Sequence, residues 1–235
     1  MIKAVFFDLD GTLLPLDQDF FVKTYFKRLA AYLVPYGYEP EKTVKAIYTG
    51  SDAMVNSDGK TSNEDIFWAT FESICGEGRR LDSPIFERFY ETDFENVRAV
   101  TDCDSRARAI VSALRGRGIK TVLATNPVFP RVATEARMRW AGLSADLFDI
   151  VTTYENSFYC KPNPEYYLDL CRRIGALPSE CVMVGNDVDD DMIAETLGFS
   201  VFLHTDRLVN RRAVDISHYS QGNFDDMARF LGVDI

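Results

Sequence analysis

Several polar residues in this 235-residue chain stand where apolar runs stop, and their types suit phosphoryl chemistry. The run Lys3 to Phe7 stops at Asp8-Leu9-Asp10-Gly11-Thr12. Val122-Leu123-Ala124 runs into Thr125 and Asn126, and Cys181 to Val184 runs into Gly185-Asn186-Asp187, with Asp189, Asp190 and Asp191 behind. Lys161 stands in Cys160-Lys161-Pro162-Asn163-Pro164, a loop leading into a helical stretch. Carboxylates gathered in one place repel unless a cation sits among them. Oxygen donors without histidine or thiolate favour a hard ion, Mg²⁺ first. A carboxylate free to attack can form an acyl-phosphate and divide a hydrolysis into two easier steps. A second acid two residues on can protonate the leaving oxygen and then activate water. A hydroxyl and an ammonium supply charge-assisted contacts to the phosphoryl oxygens. None of this needs a histidine, and the chain has only His204 and His218. Histidine bases and multi-histidine metal sites are therefore disfavoured.

These residues meet only if the elements carrying them converge. Lys3 to Phe7 reads as a strand buried on both faces of a parallel sheet. After residue 98 helices and strands alternate: helix 105–114, strand 119–124, helix 131–140, strand 150–153, helix 164–174, strand 181–184, helix 191–197, strand 200–203 and a closing helix 224–231. Such alternation implies parallel pairing through right-handed crossovers. Ligands of open α/β sheets sit beyond the carboxyl ends of the strands, where the polar groups lie here. Residues 16–98 read differently. Helical spacing recurs in Phe21, Tyr25, Phe26, Leu29 and Leu33, then over 40–48, 63–75 and 83–97, with Ser62, Asn63 and Asp82 as candidate caps. Half of the aromatic residues fall in this third of the chain. The expectation is a core domain of residues 1–15 and 99–235, with 16–98 a helical insert.

Composition sets outer bounds. Hydrophobic residues make up 46% and charged residues 26%, as in ordinary globular proteins. The net charge of -10 opposes a large nucleic-acid partner. No apolar run approaches the roughly 18 residues of a membrane span. The five scattered cysteines, with no C-x-x-C pair, read as reduced thiols. No secretory leader can be read at the N-terminus, so a cytoplasmic protein is expected.

Taken in order, four segments resemble the motifs of the haloacid dehalogenase superfamily. Asp8-Leu9-Asp10-Gly11-Thr12-Leu13 resembles its D-x-D-G-T-L signature, and Val122 to Thr125 an apolar strand ending in Ser or Thr. Lys161-Pro162-Asn163-Pro164 resembles its K-P-x-P segment, and Gly185 to Asp191 its acidic fourth motif. The resemblance implies a Rossmann-like α/β core with the first strand central and residues 16–98 as an α-helical cap. It implies Mg²⁺-dependent hydrolysis of a small phosphorylated metabolite. Asp8 would be nucleophile and metal ligand. Asp10 would be acid and base, and would give its carbonyl to the metal. Thr125 and Lys161 would bind the phosphoryl group, with Gly11, Thr12 and Asn126 completing that set. The fourth motif departs from the family, which usually has an aspartate directly after the glycine. Asn186 stands there, and it brings no charge to offset the ion's dehydration. Asp187 is therefore expected to be the metal-binding acid, with Asn186 the alternative ligand and Asp191 accepting from a metal-bound water.

Other readings fit less well. The dehalogenase branch lacks the acid at Asp10. A phosphomutase would keep both aspartates, but residues 16–98 carry no clear sugar-phosphate signature. A phosphonate hydrolase would need a Schiff-base lysine among Lys23, Lys27, Lys42, Lys45 and Lys60. A non-catalytic binding module would have no use for the intact Asp8, Asp10, Thr125 and Lys161.

Overall fold

The computed structural model describes residues 1–234. Six parallel strands form one sheet: β1 (Ala4–Phe7), β2 (Lys120–Leu123), β3 (Ile150–Val151), β4 (Cys181–Gly185), β5 (Ser200–His204) and β6 (Ser220–Gly222), in the order β3-β2-β1-β4-β5-β6. The Rossmann-like α/β architecture is the expected one. β1 lies between β2 and β4, all four of its residues buried. Successive side chains of a strand point to opposite faces. Val5 and Phe7 accordingly join one buried cluster, and Ala4 and Phe6 the other.

The register sets the height of the site. Phe7 pairs with Leu123 of β2 and with Val184 of β4. The next residues continue the ladder: Asp8 N–H donates to the Val184 carbonyl at 2.9 Å, and Ala124 N–H to that of Phe7 at 2.7 Å. Asp8 is thus level with Ala124 and Gly185, and Thr125 and Asn186 follow one residue on from the ends of the two neighbouring strands. Helices α5 (Ser105–Gly116) and α6 (Arg131–Trp140) pack with the Val5/Phe7 face, and α7 (Pro164–Ile174) with the other. α7 begins where the Asn163 side chain accepts from Glu165 N–H with Pro164 in the first turn, and stops at left-handed Gly175. A last helix, α8 (Phe224–Leu231), closes the chain on the Val5/Phe7 side.

Between β1 and α5 come α1 (Gln18–Leu33), α2 (Pro40–Val55), α3 (Asn63–Cys75) and α4 (Ser83–Glu91). Their aromatic faces meet each other and the core. Tyr25 packs against Phe94 and Phe129, and Phe94 against Trp140 of α6.

Four local expectations need correction. The helix expected over 83–97 breaks at Thr92, whose hydroxyl turns back to the Arg88 carbonyl, and resumes as a 3-10 stretch, Asp93–Val100. The helix expected from Asp191 is a 3-10 stretch, Met192–Leu197, because the Asp191 side chain folds back into the site. Of the expected caps, Ser62 does cap α3, accepting from Asp65 N–H. Asn63 instead sends its side chain into the core, and Asp82 caps nothing through its side chain. The polar strand β6 gave no apolar signal and was not anticipated.

Candidate active site

The carboxylate of Asp8 is fixed from two sides. Lys161 Nζ donates to Oδ1 at 2.9 Å, and the Thr12 hydroxyl lies 3.2 Å from Oδ2. Lys161 is buried and also donates to Asp191 Oδ1 at 2.6 Å, so one ammonium serves two carboxylates. Burial works against that ammonium, yet Asp191 and Asp8 hold it well above its ordinary range. Burial likewise pushes the Asp191 carboxyl up, to about 8, against the pull of Lys161. Asp191 Oδ2 accepts from Asp187 N–H at 3.0 Å, which folds the loop after β4 under the site. That return needs Gly185, since a Cβ there would overlap the Asp191 carboxylate. Gly11 is required too: it holds φ +90, and a Cβ would strike the Asn186 side chain.

Asp10 points toward α6, where its Oδ2 meets the buried guanidinium of Arg137. Its Oδ1 is buried and has no hydrogen-bond partner among the described residues. Burial raises the Asp10 carboxyl above the usual carboxylate range, with Arg137 opposing. Thr125 is buried beside Asp8's strand, and its carbonyl accepts from Thr152 at 2.6 Å and Tyr166 at 2.9 Å. Its hydroxyl makes no hydrogen bond among the described residues, which leaves it free for a ligand. Asn126 is committed elsewhere, accepting from Lys161 N–H at 3.3 Å, so it shapes the lysine loop.

The fourth motif falls differently from expectation. Asn186 Oδ1 lies 3.0 Å from the Thr12 hydroxyl, which also borders Asp8 Oδ2, while its Nδ2 is anchored on the Arg207 carbonyl at 2.6 Å. Asp187 faces away. Its Oδ1 caps the next turn, accepting from Asp189 and Asp190 N–H at 2.8 and 3.0 Å, and its Oδ2 pairs with Arg211 at 3.0 Å. Among the described residues, no three or more His, Cys, Asp or Glu side chains gather as a metal cluster. Two side-chain oxygens border the Thr12 hydroxyl, Asp8 Oδ2 and the Asn186 amide oxygen. Such hard donors suit Mg²⁺, which commonly takes one or two carboxylates and fills its octahedron with water and substrate phosphate.

Arg137 escaped the sequence reading, and Asn63 was read there only as a candidate cap. Arg137 gave one usable signal, a cation at helical spacing from apolar Ala133 and Trp140, on the face that the helix buries. Asn63 is fully buried and donates to the Pro127 carbonyl at 3.1 Å and to Cys160 Sγ at 3.2 Å. It hooks α3 onto the loops that carry Thr125 and Lys161; nothing in its local sequence marks it.

At the carboxyl edge of the parallel sheet stand two aspartates, a threonine and a buried lysine. The family model described as "haloacid dehalogenase-like hydrolase" matches residues 2–198, and the chain belongs to that family. It is a phosphatase of the superfamily. A phosphoglycolate phosphatase of Nitrosospira multiformis is 30% identical over 86% of this chain and 82% of its own length. An N-acetylmuramic acid 6-phosphate phosphatase of Pseudomonas aeruginosa is 26% identical over 80% of this chain and 75% of its own. Among solved structures, CbbY of Rhodobacter sphaeroides in complex with xylulose-(1,5)bisphosphate superposes with a TM-score of 0.61 at 17% identity, covering 100% of both chains. At that identity the likeness concerns the fold.

Proposed function

We propose that this phosphatase hydrolyses a small-molecule phosphate monoester through an aspartyl-phosphate on Asp8, with Mg²⁺ as cofactor. The observation that carries the reading is the setting of Asp8, its carboxylate held by Lys161 on one oxygen and Thr12 on the other. In the first half-reaction an Asp8 oxygen forms a bond to phosphorus. The bond from phosphorus to the ester oxygen breaks, and the departing oxygen takes the proton carried by Asp10. In the second, a water gives a proton to Asp10 and its oxygen bonds to phosphorus. The bond to Asp8 breaks, and both carboxyls return to their starting state. Lys161 and Thr125 neutralise and orient the phosphoryl oxygens throughout. Asp8, the Asp10 carbonyl and Asn186 would hold Mg²⁺, which when bound offsets the charge on the phosphoryl oxygens.

Residues 16–98 act as a cap that selects the ester. The relatives named for phosphoglycolate and N-acetylmuramic acid 6-phosphate support a small phosphorylated substrate, since specificity would then lie in side chains above a shared catalytic floor. The test is phosphate release from p-nitrophenyl phosphate with and without Mg²⁺, for wild type and Asp8→Asn. Asp8→Asn should fold as wild type by circular dichroism and lose ~10³-fold or more in turnover. Retention of more than a tenth of the activity would remove the covalent route.

A further inference from the structure

A guanidinium keeps its charge at any pH a folded protein meets, and bringing it indoors costs hydration that only well-made contacts return. The Arg137 side chain is 1% exposed. Every part of its head group is engaged. Nε donates to the Ala133 carbonyl at 3.3 Å and Nη2 to the Thr134 hydroxyl at 3.3 Å. Its plane lies over the Phe129 ring, 4.3 Å from the centroid. The remaining direction, Nη1, meets Oδ2 of Asp10, the one carboxylate it pairs with among the described residues.

For Asp10 the outcome is one-sided. Oδ2 is tied to a cation that cannot shift without breaking three other contacts, while Oδ1 is buried and bare. If the pair served only to neutralise a core arginine, a two-pronged contact would satisfy both oxygens. A buried oxygen left unpaired is instead a cost that a functional contact can recover.

We propose that Arg137 is a positioning residue for phosphoryl transfer: by gripping Oδ2 of Asp10 it presents Oδ1 to the oxygen leaving phosphorus. The inference rests on the reading of Asp10 as acid and base. It assigns the travelling proton to Oδ1 and gives Arg137 no contact with substrate.

The experiment compares p-nitrophenyl phosphate, whose leaving group departs without a proton, with benzyl phosphate, whose alkoxide needs one. Wild type, Arg137→Met, Arg137→Lys, Asp10→Asn and the double variant Asp10→Asn/Arg137→Met are assayed for kcat and KM, with thermal melting as the measure of fold. Arg137→Met should lose at least ten times more kcat on benzyl than on p-nitrophenyl phosphate, with KM little changed. Arg137→Lys, which keeps the charge but not the fork, should show the same bias at smaller size. In the Asp10→Asn background Arg137→Met should add no further loss, because nothing remains to position. Equal losses on both esters in either Arg137 variant, or additive losses in the double variant, would mean a merely structural pair and overturn the proposal. Arg137→Lys alone decides it should Arg137→Met not fold. If Asp10→Asn itself showed no preference between the esters, the acid/base reading would fall and this inference with it. A biased Asp10→Asn beside an unbiased Arg137→Met would remove the inference alone.

Discussion

Asp8 has both oxygens assigned before any substrate arrives, and the assignments divide the surrounding acids into distinct jobs. Asp191 shares Lys161 and ties down the loop; Asp187 caps the turn and holds Arg211; neither replaces the other. This bears on the metal. In a Mg²⁺ titration of activity, Asn186→Ala should raise the Mg²⁺ requirement more than Asp187→Ala, because Asn186 Oδ1 shares the Thr12 hydroxyl with Asp8 while both Asp187 oxygens are engaged elsewhere. Asp187→Ala should lower thermal stability instead, through loss of the turn it caps, by about 1 kcal/mol. The opposite order, with Asp187→Ala shifting the titration and Asn186→Ala near wild type, would return the metal to the acid. The aspartates, threonine and lysine were legible in the sequence because their chemistry and order are distinctive. The direction each side chain takes was not. Which of two neighbouring residues faces Asp8 depends on where a turn closes, and a turn closes on backbone N–H groups that residue types do not reveal.

The elements that carry the site work through backbone geometry as much as side chains. Gly185 ends β4 and leaves the space into which Asp191 returns. Gly185→Ala should therefore push Asp191 off Asp187 N–H and loosen Lys161. Urea unfolding should show a loss of about 1–3 kcal/mol from overpacking, with turnover falling further than that loss explains. Wild-type turnover in this variant would mean that Asp191 is dispensable for holding Lys161. Strands β1, β2, β4 and β5 were readable because each is a buried apolar run; β6 (Ser220–Gly222) was not, its residues being polar and partly exposed at the sheet edge. Expected helices failed where a side chain outcompeted the helical hydrogen bond: Thr92 at the end of α4, Asp191 after β4.

At the scale of the whole molecule, the helices of 16–98 and one face of the sheet share a single buried cluster, from Val5 and Phe7 through Tyr25 and Phe94 to Phe86. The sequence marked that region by its aromatics but could not say that they would pack downward onto Phe129 and Trp140. Among the described residues, no helix is long and apolar enough to cross a membrane. At the carboxyl end of β5, His204 packs against Phe224, with ring centroids 4.7 Å apart. Burial pushes its imidazole below the ordinary 6.5, Asp206 acting in the opposite sense, and its Nδ1 has no partner among the described residues. The unfolded chain takes up that proton first as pH falls. The stability His204 contributes is therefore complete above about 6.5 and is lost as pH drops from there through the lowered native value. Melting temperature should decline more steeply between pH 7.5 and 5.5 in wild type than in His204→Leu. Parallel curves would show that His204 keeps its ordinary affinity in the fold.

The hook that Asn63 makes onto Cys160 turns this cysteine into a clock. Its thiol is buried, and burial pushes it up to about 12, so with α3 seated it is inert toward alkylating reagents. Were α3 to lift away, the sulfur would meet solvent for the interval before reseating. With reagent dilute and reseating fast, the rate at which the Cys160 peptide gains mass reports the fraction of time spent lifted. Exposed Cys103 supplies the internal standard in the same spectrum. Phosphate or a bound ester that draws the two parts together should slow the first without touching the second. Asn63→Ala should quicken it.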